Sequence, residues 1–142
     1  MKIFQLKPPK LGFFEGNWTD QELRFQAIFR EIQYCYFPRW KNGYMWRIYI
    51  NKNIQWPTEG ICRRNIRSID IAPHAAKIYS DLGIKLILLH EAAHAVTWRG
   101  HEGVWFNRMK KIATQLLREG EAEMARQIME DANAHFNHAI FN

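Results

Sequence analysis

The feature that most constrains this chain is an apolar run, residues 84–89, which leads into the sequence His-Glu-Ala-Ala-His at residues 90–94. The run predicts a helix. Residues four apart on a helix lie one turn from each other on the same face, so the imidazoles of His90 and His94 can both reach one metal ion. The carboxylate of Glu91 then borders that ion, where it can accept a proton from a bound water. The spacing predicts a metal-hydrolase centre of the zinc metalloprotease type.

A catalytic zinc ion normally has three protein ligands and one open position, so the two histidines need a third ligand. His101 is the nearest candidate, because the helix should end at Gly100 and let the chain turn back towards the ion. A metzincin would place its third ligand on Gly100 itself, which excludes that class. The alternative is a later glutamate, as in gluzincins, and three are available: Glu119, Glu121 and Glu123. We favour His101 because an imidazole is neutral, suits zinc and is close in the chain.

The residues around this motif resemble those of SprT-like domains. That family has HExxH followed by alanine, a variable loop, and then His-Gly-x-x-aromatic. Here Ala95 follows the second histidine, and a short loop leads to His101 and, four residues later, to Trp105. Glu102 stands where the family usually has glycine.

The resemblance, which extends over about residues 18–118, implies a zincin-like α+β domain and a zinc metalloprotease of the HExxH type. It implies that Zn²⁺ is held by His90, His94 and His101, with Glu91 as the general base. SprT-like proteins are linked to DNA, and Spartan proteases cleave proteins crosslinked to it. The expected partners are therefore a protein or peptide substrate and, through a basic surface, DNA.

The rest of the sequence predicts helices around a small sheet. A capping-box pattern at Thr19 and Glu22 begins a helix that should end before Pro38. Alternating residues predict strands near 44–50 and 69–71, with a strand or hairpin arm between them. The later predicted segments are a short helix or turn at 74–81, the motif helix at about 82–98, a helix from about 103 to 116, and a last one at 121–135. The fold class is α+β, with a small antiparallel sheet packed with the HExxH helix and flanking helices.

The chain has 142 residues, of which 47% are hydrophobic, and this suits one compact domain. Residues 1–17 have little periodicity and are predicted to be an extended lead-in, with residues 18–142 as a single domain. Cys35 and Cys62 form no Cys-x-x-Cys pair, so we expect free thiols in a reducing compartment. The sequence has neither a signal-peptide pattern nor a membrane-spanning run, so we expect a cytoplasmic protein without a membrane partner. It does not indicate an oligomeric state.

The formal net charge of +6 is consistent with an anionic partner but does not demonstrate one. Two groups of basic residues are candidates for DNA contact. They are Arg63, Arg64 and Arg67 around a strand, and Lys7, Lys10, Arg39 and Lys41 near Trp40. Such groups more often form an ordinary solvated surface.

Two other functions remain open from the sequence. A non-catalytic zincin-like module could bind nucleic acid or a protein partner and hold zinc for structure, although structural zinc sites usually have four protein ligands. A gluzincin-type peptidase would use a downstream glutamate instead of His101. His135 and His138 are predicted to lie in a polar C-terminal tail, and His74 in a turn. The donor to the oxyanion stays unassigned among three candidates, Tyr79, Arg99 and His74.

Overall fold

The computed structural model of this protein describes residues 19–98 and 103–141, with side chains up to residue 135. The described chain contains five α-helices and a three-stranded sheet, which confirms the α+β class. The helices are α1 Asp20–Tyr36, α2 Pro73–Ile78, α3 Asp81–Thr97, α4 Gly103–Arg118 and α5 Ala122–Phe141. The strands are β1 Arg47–Ile50, β2 Gly60–Arg63 and β3 Ser68–Ile71. None of the helices in these ranges is long and apolar enough to cross a membrane.

The described residues group into two compact units. The first extends to Ala92 and contains α1, the sheet, α2 and most of α3. The second begins at Ala93 and contains the end of α3 together with α4 and α5. The motif helix therefore contributes residues to both units. The extended lead-in at residues 1–17 lies outside the described residues, and the single domain over 18–142 stays a prediction.

Helix α1 begins and ends where the sequence predicts. The hydroxyl of Thr19 accepts a hydrogen bond from the Glu22 N–H at 3.1 Å, and Glu22 Oε1 accepts one from the Thr19 N–H at 3.0 Å. This is the predicted capping box, which satisfies two backbone donors at the start of the helix. The helix ends at Tyr36, two residues before Pro38, which cannot continue it.

Two side chains of α1 bind the outward backbone groups of β1. Glu22 Oε2 accepts a hydrogen bond from the Ile50 N–H at 2.8 Å. One turn later, the buried Gln26 accepts from the Ile48 N–H at 2.8 Å and donates to the Trp46 carbonyl at 3.0 Å. These contacts satisfy groups that an edge strand would otherwise present to another chain. Helix α1 therefore covers the outer edge of β1.

The sheet is mixed, and the predicted antiparallel sheet is wrong. Strand β3 lies in the centre, with β1 parallel to it, Arg47 opposite Ser68, and β2 antiparallel to it, Gly60 opposite Ile71. Side-chain alternation indicates which face of a strand is buried, but not which strand lies beside it or in which direction. Here the segment 51–59 leads from β1 to β2, which lies at the far edge of the sheet. A hairpin after β2 then places β3 between β1 and β2.

The core of the first unit is built on the central strand. Ile69 and Ile71 of β3 are fully buried, as are Ile48 of β1 and Phe25 and Phe29 of α1. Full burial of one such side chain contributes about 1.5–3 kcal/mol relative to its exposure to water. The predicted strand at 69–71 is therefore the strand on which the rest of the unit packs.

A buried carboxylate, Asp70, lies in the same strand and is completely surrounded by partners. It accepts hydrogen bonds from the hydroxyl of Ser68 and, at 2.7 Å, from Asn51 Nδ2. Arg63 Nη2 of the neighbouring strand lies 2.7 Å from Asp70 Oδ2. Because a buried charge is costly without a partner, Arg63 compensates Asp70 and ties β2 to β3. This member of the predicted basic cluster therefore has a structural role.

The second unit is a helical hairpin of α4 and α5. Gly120 lies at the turn between the two helices with φ of 81°, a left-handed conformation that favours glycine. Helix α4 buries an apolar stripe whose members are Trp105, Met109, Ile112 and Leu116. Helix α5 contributes a matching set of buried residues, Met124, Ala125, Ile128 and Ala132. The two helices predicted from about 103 to 116 and at 121–135, with a break between them, are confirmed.

Candidate metal centre

Three side chains of α3 lie close enough together to bind one metal ion. The ligand-type atoms of His90, Glu91 and His94 all lie within 4.8 Å of one another. Oε2 of Glu91 is 3.9 Å from Nε2 of His90. Glu91 and His94 are each only 8% exposed. The helix brings both histidines and the glutamate together, and their roles as ligands and base stay predictions.

Helix α3 holds these groups on a backbone that is buried on most sides. Ile84, Leu88 and Leu89 before the motif, and Ala92 and Ala93 within it, are fully buried. A helix that is apolar nearly all round lies in the interior of a protein. The two alanines also leave the remaining faces of this turn without bulky side chains. The imidazoles and the carboxylate therefore project from a backbone that packing holds in place.

Strand β2 passes directly against the turn of α3 that carries Glu91. A Cβ atom added at Gly60 would lie 2.9 Å from Ile87 Cγ2 and 3.4 Å from Glu91 Cγ. The negative charge of Glu91 also reaches Cys62, where burial first and then that charge raise the pKa of the thiol to about 12. Gly60 lies in the segment that the sequence predicts only as a strand or hairpin arm. In the structure it is the residue without a side chain that lets the strand approach Glu91.

In the second unit the ring of His94 stacks on Trp105. The two ring centroids are 5.3 Å apart and the planes differ by 15°. Trp105 is fully buried. A buried indole parallel to an imidazole limits the rotation of that imidazole, as outer partners of metal-binding histidines commonly do. The aromatic residue of the family pattern thus contacts one of the two motif histidines.

His135 packs against the same tryptophan from α5. Its ring meets Trp105 edge-on at a centroid distance of 6.3 Å. Its Nδ1 lies 3.1 Å from Asp131 Oδ1 and 2.9 Å from the Asp131 carbonyl oxygen. The placement of His135 in a polar tail is therefore wrong, since the residue lies inside α5 and has partners. Asp131 and His135 are one helical turn apart, the same spacing as His90 and His94. This spacing was the signal in the sequence that His135 and Asp131 could contact each other on a helix.

The proposed third ligand, His101, lies outside the described residues, together with Arg99, Gly100 and Glu102. The glutamates of the gluzincin alternative are at the α4–α5 turn and just after it, and all three are exposed. Glu123 is bound by Arg126, with Nη2 2.5 Å from Oε1, and this contact lowers the pKa of Glu123 to about 2. It is thus engaged in a surface ion pair.

A cavity of about 270 Å³ lies beside the start of β2 in the first unit. Its lining residues are Trp56, Pro57, Glu59, His74, Ala75, Ile78 and Tyr79. The hydroxyl of Tyr79 donates a hydrogen bond to the carboxylate of Glu59, which raises the pKa of Tyr79. His74 and Tyr79, both considered as oxyanion donors, therefore line one cavity, although nothing in its geometry assigns them that role.

The aromatic residue at the centre of the second basic group, Trp40, belongs to an aromatic cluster. Its ring centroid lies 5.7 Å from Phe29, 6.0 Å from Phe37 and 5.3 Å from Trp46. These contacts hold the ring between core residues, and its two basic sequence neighbours are exposed. The lysines predicted to join this group, Lys7 and Lys10, lie outside the described residues.

Comparisons of the chain with family models, curated proteins and solved structures found no match. The resemblance to SprT-like domains therefore rests on the motif residues alone.

Proposed function

We propose that this protein is a zinc-dependent metallopeptidase. The observation that carries the proposal is the close grouping of His90, Glu91 and His94 on a buried helix, with Glu91 beside the edge strand β2. Imidazole nitrogens are favoured ligands of Zn²⁺, and a third ligand would come from His101.

Each residue of the candidate metal centre has a separate role in the proposed peptide hydrolysis. When bound, the zinc ion makes a water ligand more acidic and polarises the carbonyl of the substrate. Glu91 accepts the proton from the attacking water on its carboxylate and later delivers it to the leaving amine. Trp105 holds the ring of His94 in one orientation through their stacked contact. The burial of Glu91 and His94 keeps bulk water from surrounding them.

A peptide is the substrate that the position of β2 supports. Within the described residues β2 pairs with β3 alone, so its other side can accept an extended chain through backbone hydrogen bonds. Because Gly60 lies against the turn that carries Glu91, a peptide paired with this strand passes the carboxylate that acts as the base. An ester or a phosphate has no comparable row of backbone groups to pair with the strand.

The test compares metal content and turnover of an unfolded protein substrate in the parent and in Glu91→Gln. We expect the variant to keep its zinc and to lose at least about 100-fold in turnover, because the amide cannot accept the proton. Glu130→Gln, an exposed glutamate of α5, is the matched control and should keep full activity. Full metal-dependent turnover in Glu91→Gln would show that another group is the base.

His101→Ala tests the third ligand in the same assays. We expect a loss of zinc affinity of at least about tenfold together with a loss of turnover. Zinc binding as tight as in the parent would show that the third ligand is a residue further along the chain.

The resemblance to SprT-like domains extends the proposal to proteins associated with DNA. Cleavage of a DNA-binding protein is to be measured with and without single- and double-stranded DNA at several salt concentrations. We expect DNA to accelerate cleavage at low salt and to lose this effect at high salt, since phosphate contacts weaken as salt is added. Cleavage that is indifferent to DNA would leave a general metallopeptidase.

A further inference from the structure

The cavity adjoins the start of β2, the strand along which the proposed peptide substrate lies. Glu59, on its wall, directly precedes Gly60, and adjacent Cα atoms are only about 3.8 Å apart. Gly60 in turn lies against Glu91. With about 270 Å³, the cavity is slightly smaller than typical ligand pockets, which have volumes of about 300–1,000 Å³. This size suits a single long side chain.

The cavity has hydrogen-bond acceptors on its wall that form no ion pair with a cationic side chain of the described residues. Among the ion pairs within the described residues, none includes Glu59, which accepts only the hydroxyl hydrogen bond of Tyr79. Nε2 of His74 is buried and has no hydrogen-bond partner in the described part of the chain. The cavity thus offers the carboxylate of Glu59 to one incoming donor group.

The apolar walls suit the stem of a long cationic side chain. Trp56 and Ile78 are 78% and 72% exposed, so their apolar surfaces are open to a ligand in the cavity. The methylene groups of arginine or lysine bury well against such surfaces. A cation can also lie over the face of the Trp56 indole. An apolar side chain would desolvate the Glu59 carboxylate without replacing its lost hydration, and an acidic one would be repelled by it.

We propose that this cavity binds an arginine or lysine side chain of the peptide substrate and thereby sets the preferred cleavage site next to Glu91. The proposal rests on the proposed peptidase function for its role in cleavage. Binding of the cationic side chain itself does not depend on turnover. Guanidinium suits the site better than ammonium, because its planar fork can donate two parallel hydrogen bonds to the carboxylate of Glu59.

The first measurement is kcat/KM on peptides that are identical except at one position, occupied by arginine, lysine, methionine or glutamate. That position is moved along the peptide in successive sets. In the parent we expect the arginine peptide to exceed the methionine peptide by about tenfold at one position, as a charge-assisted hydrogen bond allows. Glu59→Gln, which keeps the shape and an acceptor for Tyr79, should remove this difference, and Glu59→Lys should favour the glutamate peptide instead.

The second measurement separates the cavity from the chemistry. The affinities of labelled arginine and methionine peptides are measured by fluorescence anisotropy in Glu91→Gln, and again after adding Glu59→Gln. We expect about five- to tenfold tighter binding of the arginine peptide, lost in the double variant. Adding Glu130→Gln instead is the charge-matched control and should preserve the preference.

The outcomes distinguish the two proposals. Equal binding and equal cleavage of the arginine and methionine peptides would overturn the cationic pocket while leaving the peptidase intact. An arginine preference in binding, lost with Glu59→Gln, in a parent protein that cleaves no peptide would support the pocket and overturn the peptidase. A preference for methionine that survives Glu59→Gln would show that the occupant is an apolar side chain and would also overturn the pocket as proposed.

Discussion

At one edge of the sheet, Glu22 and Gln26 of α1 bind the outward backbone groups around β1. At the other edge, β2 pairs with β3 alone within the described residues and runs past Glu91. Edge strands are normally protected, because unpaired backbone groups attract other chains. We infer that the first edge is closed for stability and the second is available for a peptide.

The same residue type is used differently at the two edges. The carboxylate of Glu22 accepts hydrogen bonds from the N–H groups of Thr19 and Ile50, so it is satisfied inside the fold. Glu59 lines a cavity and belongs to no ion pair within the described residues. Glu91 lies close to two histidines. A carboxylate satisfied by backbone donors stabilises a fold, whereas one left to face a cavity or a metal site is available for binding or proton transfer. Variants at each edge should therefore change different properties.

The largest effect is expected at the closed edge, from Gln26→Met. The substitution keeps the side-chain volume but removes both hydrogen bonds and leaves the Ile48 N–H buried without a partner. We expect the free energy of unfolding to fall by about 3 kcal/mol. Turnover and zinc content of the folded fraction should stay at the parent level. Urea denaturation followed by circular dichroism measures the stability.

Gln127→Met on α5 is the matched control, because its side chain bonds only to the exposed Glu123. It should change the free energy of unfolding by no more than about 0.5 kcal/mol. An unchanged midpoint for Gln26→Met would mean that its hydrogen bonds do not hold the β1 edge.

A smaller loss of stability with a loss of activity is expected at the open edge, from Gly60→Val. Valine favours strands, so its effect would come from the close approach alone. Its Cβ would push on Ile87 and Glu91. We expect about 2 kcal/mol lower stability from overpacking and at least about tenfold lower turnover, measured at full zinc occupancy.

Ile61→Val, at the neighbouring and more exposed position, is the control for Gly60→Val. It should leave turnover within about twofold of the parent, because it changes one methylene group away from the contact with Glu91. If Gly60→Val kept full turnover, β2 would not limit the position of the base.

Local patterns predicted the helices well, because their signals depend on residues close in the chain. The capping box at Thr19, the apolar run before His90 and the turn at Gly120 each require only a few neighbouring residues. The motif therefore placed its three side chains on one helix correctly. The pairing of strands that are far apart in the chain could not be predicted, because alternation within β1, β2 and β3 does not specify strand order or direction.

The environment of the candidate site depends on such long-range relations. Gly60 is 31 residues before Glu91, and nothing in either segment indicates that one packs against the other. His135 is 30 residues after Trp105, and their contact requires the α4–α5 hairpin to form first. Arg63 could be recognised as basic, but only the fold shows that its charge compensates Asp70. The sequence thus predicted which side chains share the motif helix, but not the residues that pack around them.

The smallest effect is a change in the reactivity of Cys62, which reports on the distance between β2 and Glu91. Burial, and then the charge of Glu91, raise the pKa of this thiol to about 12. In the zinc-free protein with a Cys35→Ser background, we expect slow alkylation at pH 8, with the rate rising only as the pH approaches that value. Removing the negative charge in Glu91→Gln should move the rise to lower pH, because less repulsion opposes the thiolate.

The raised pKa of Cys62 also makes the stability of the protein depend on pH. The folded pKa lies above the ordinary value of 9.0, so the unfolded chain releases this proton first as the pH rises. The contribution of Cys62 to stability is therefore complete below about pH 9 and declines from there towards pH 12. Glu130→Gln makes the same change of charge on α5 and should leave the alkylation profile unchanged. Identical profiles for Glu91→Gln and the parent would mean that β2 does not sense Glu91, and the two edges would then differ only in their hydrogen bonds.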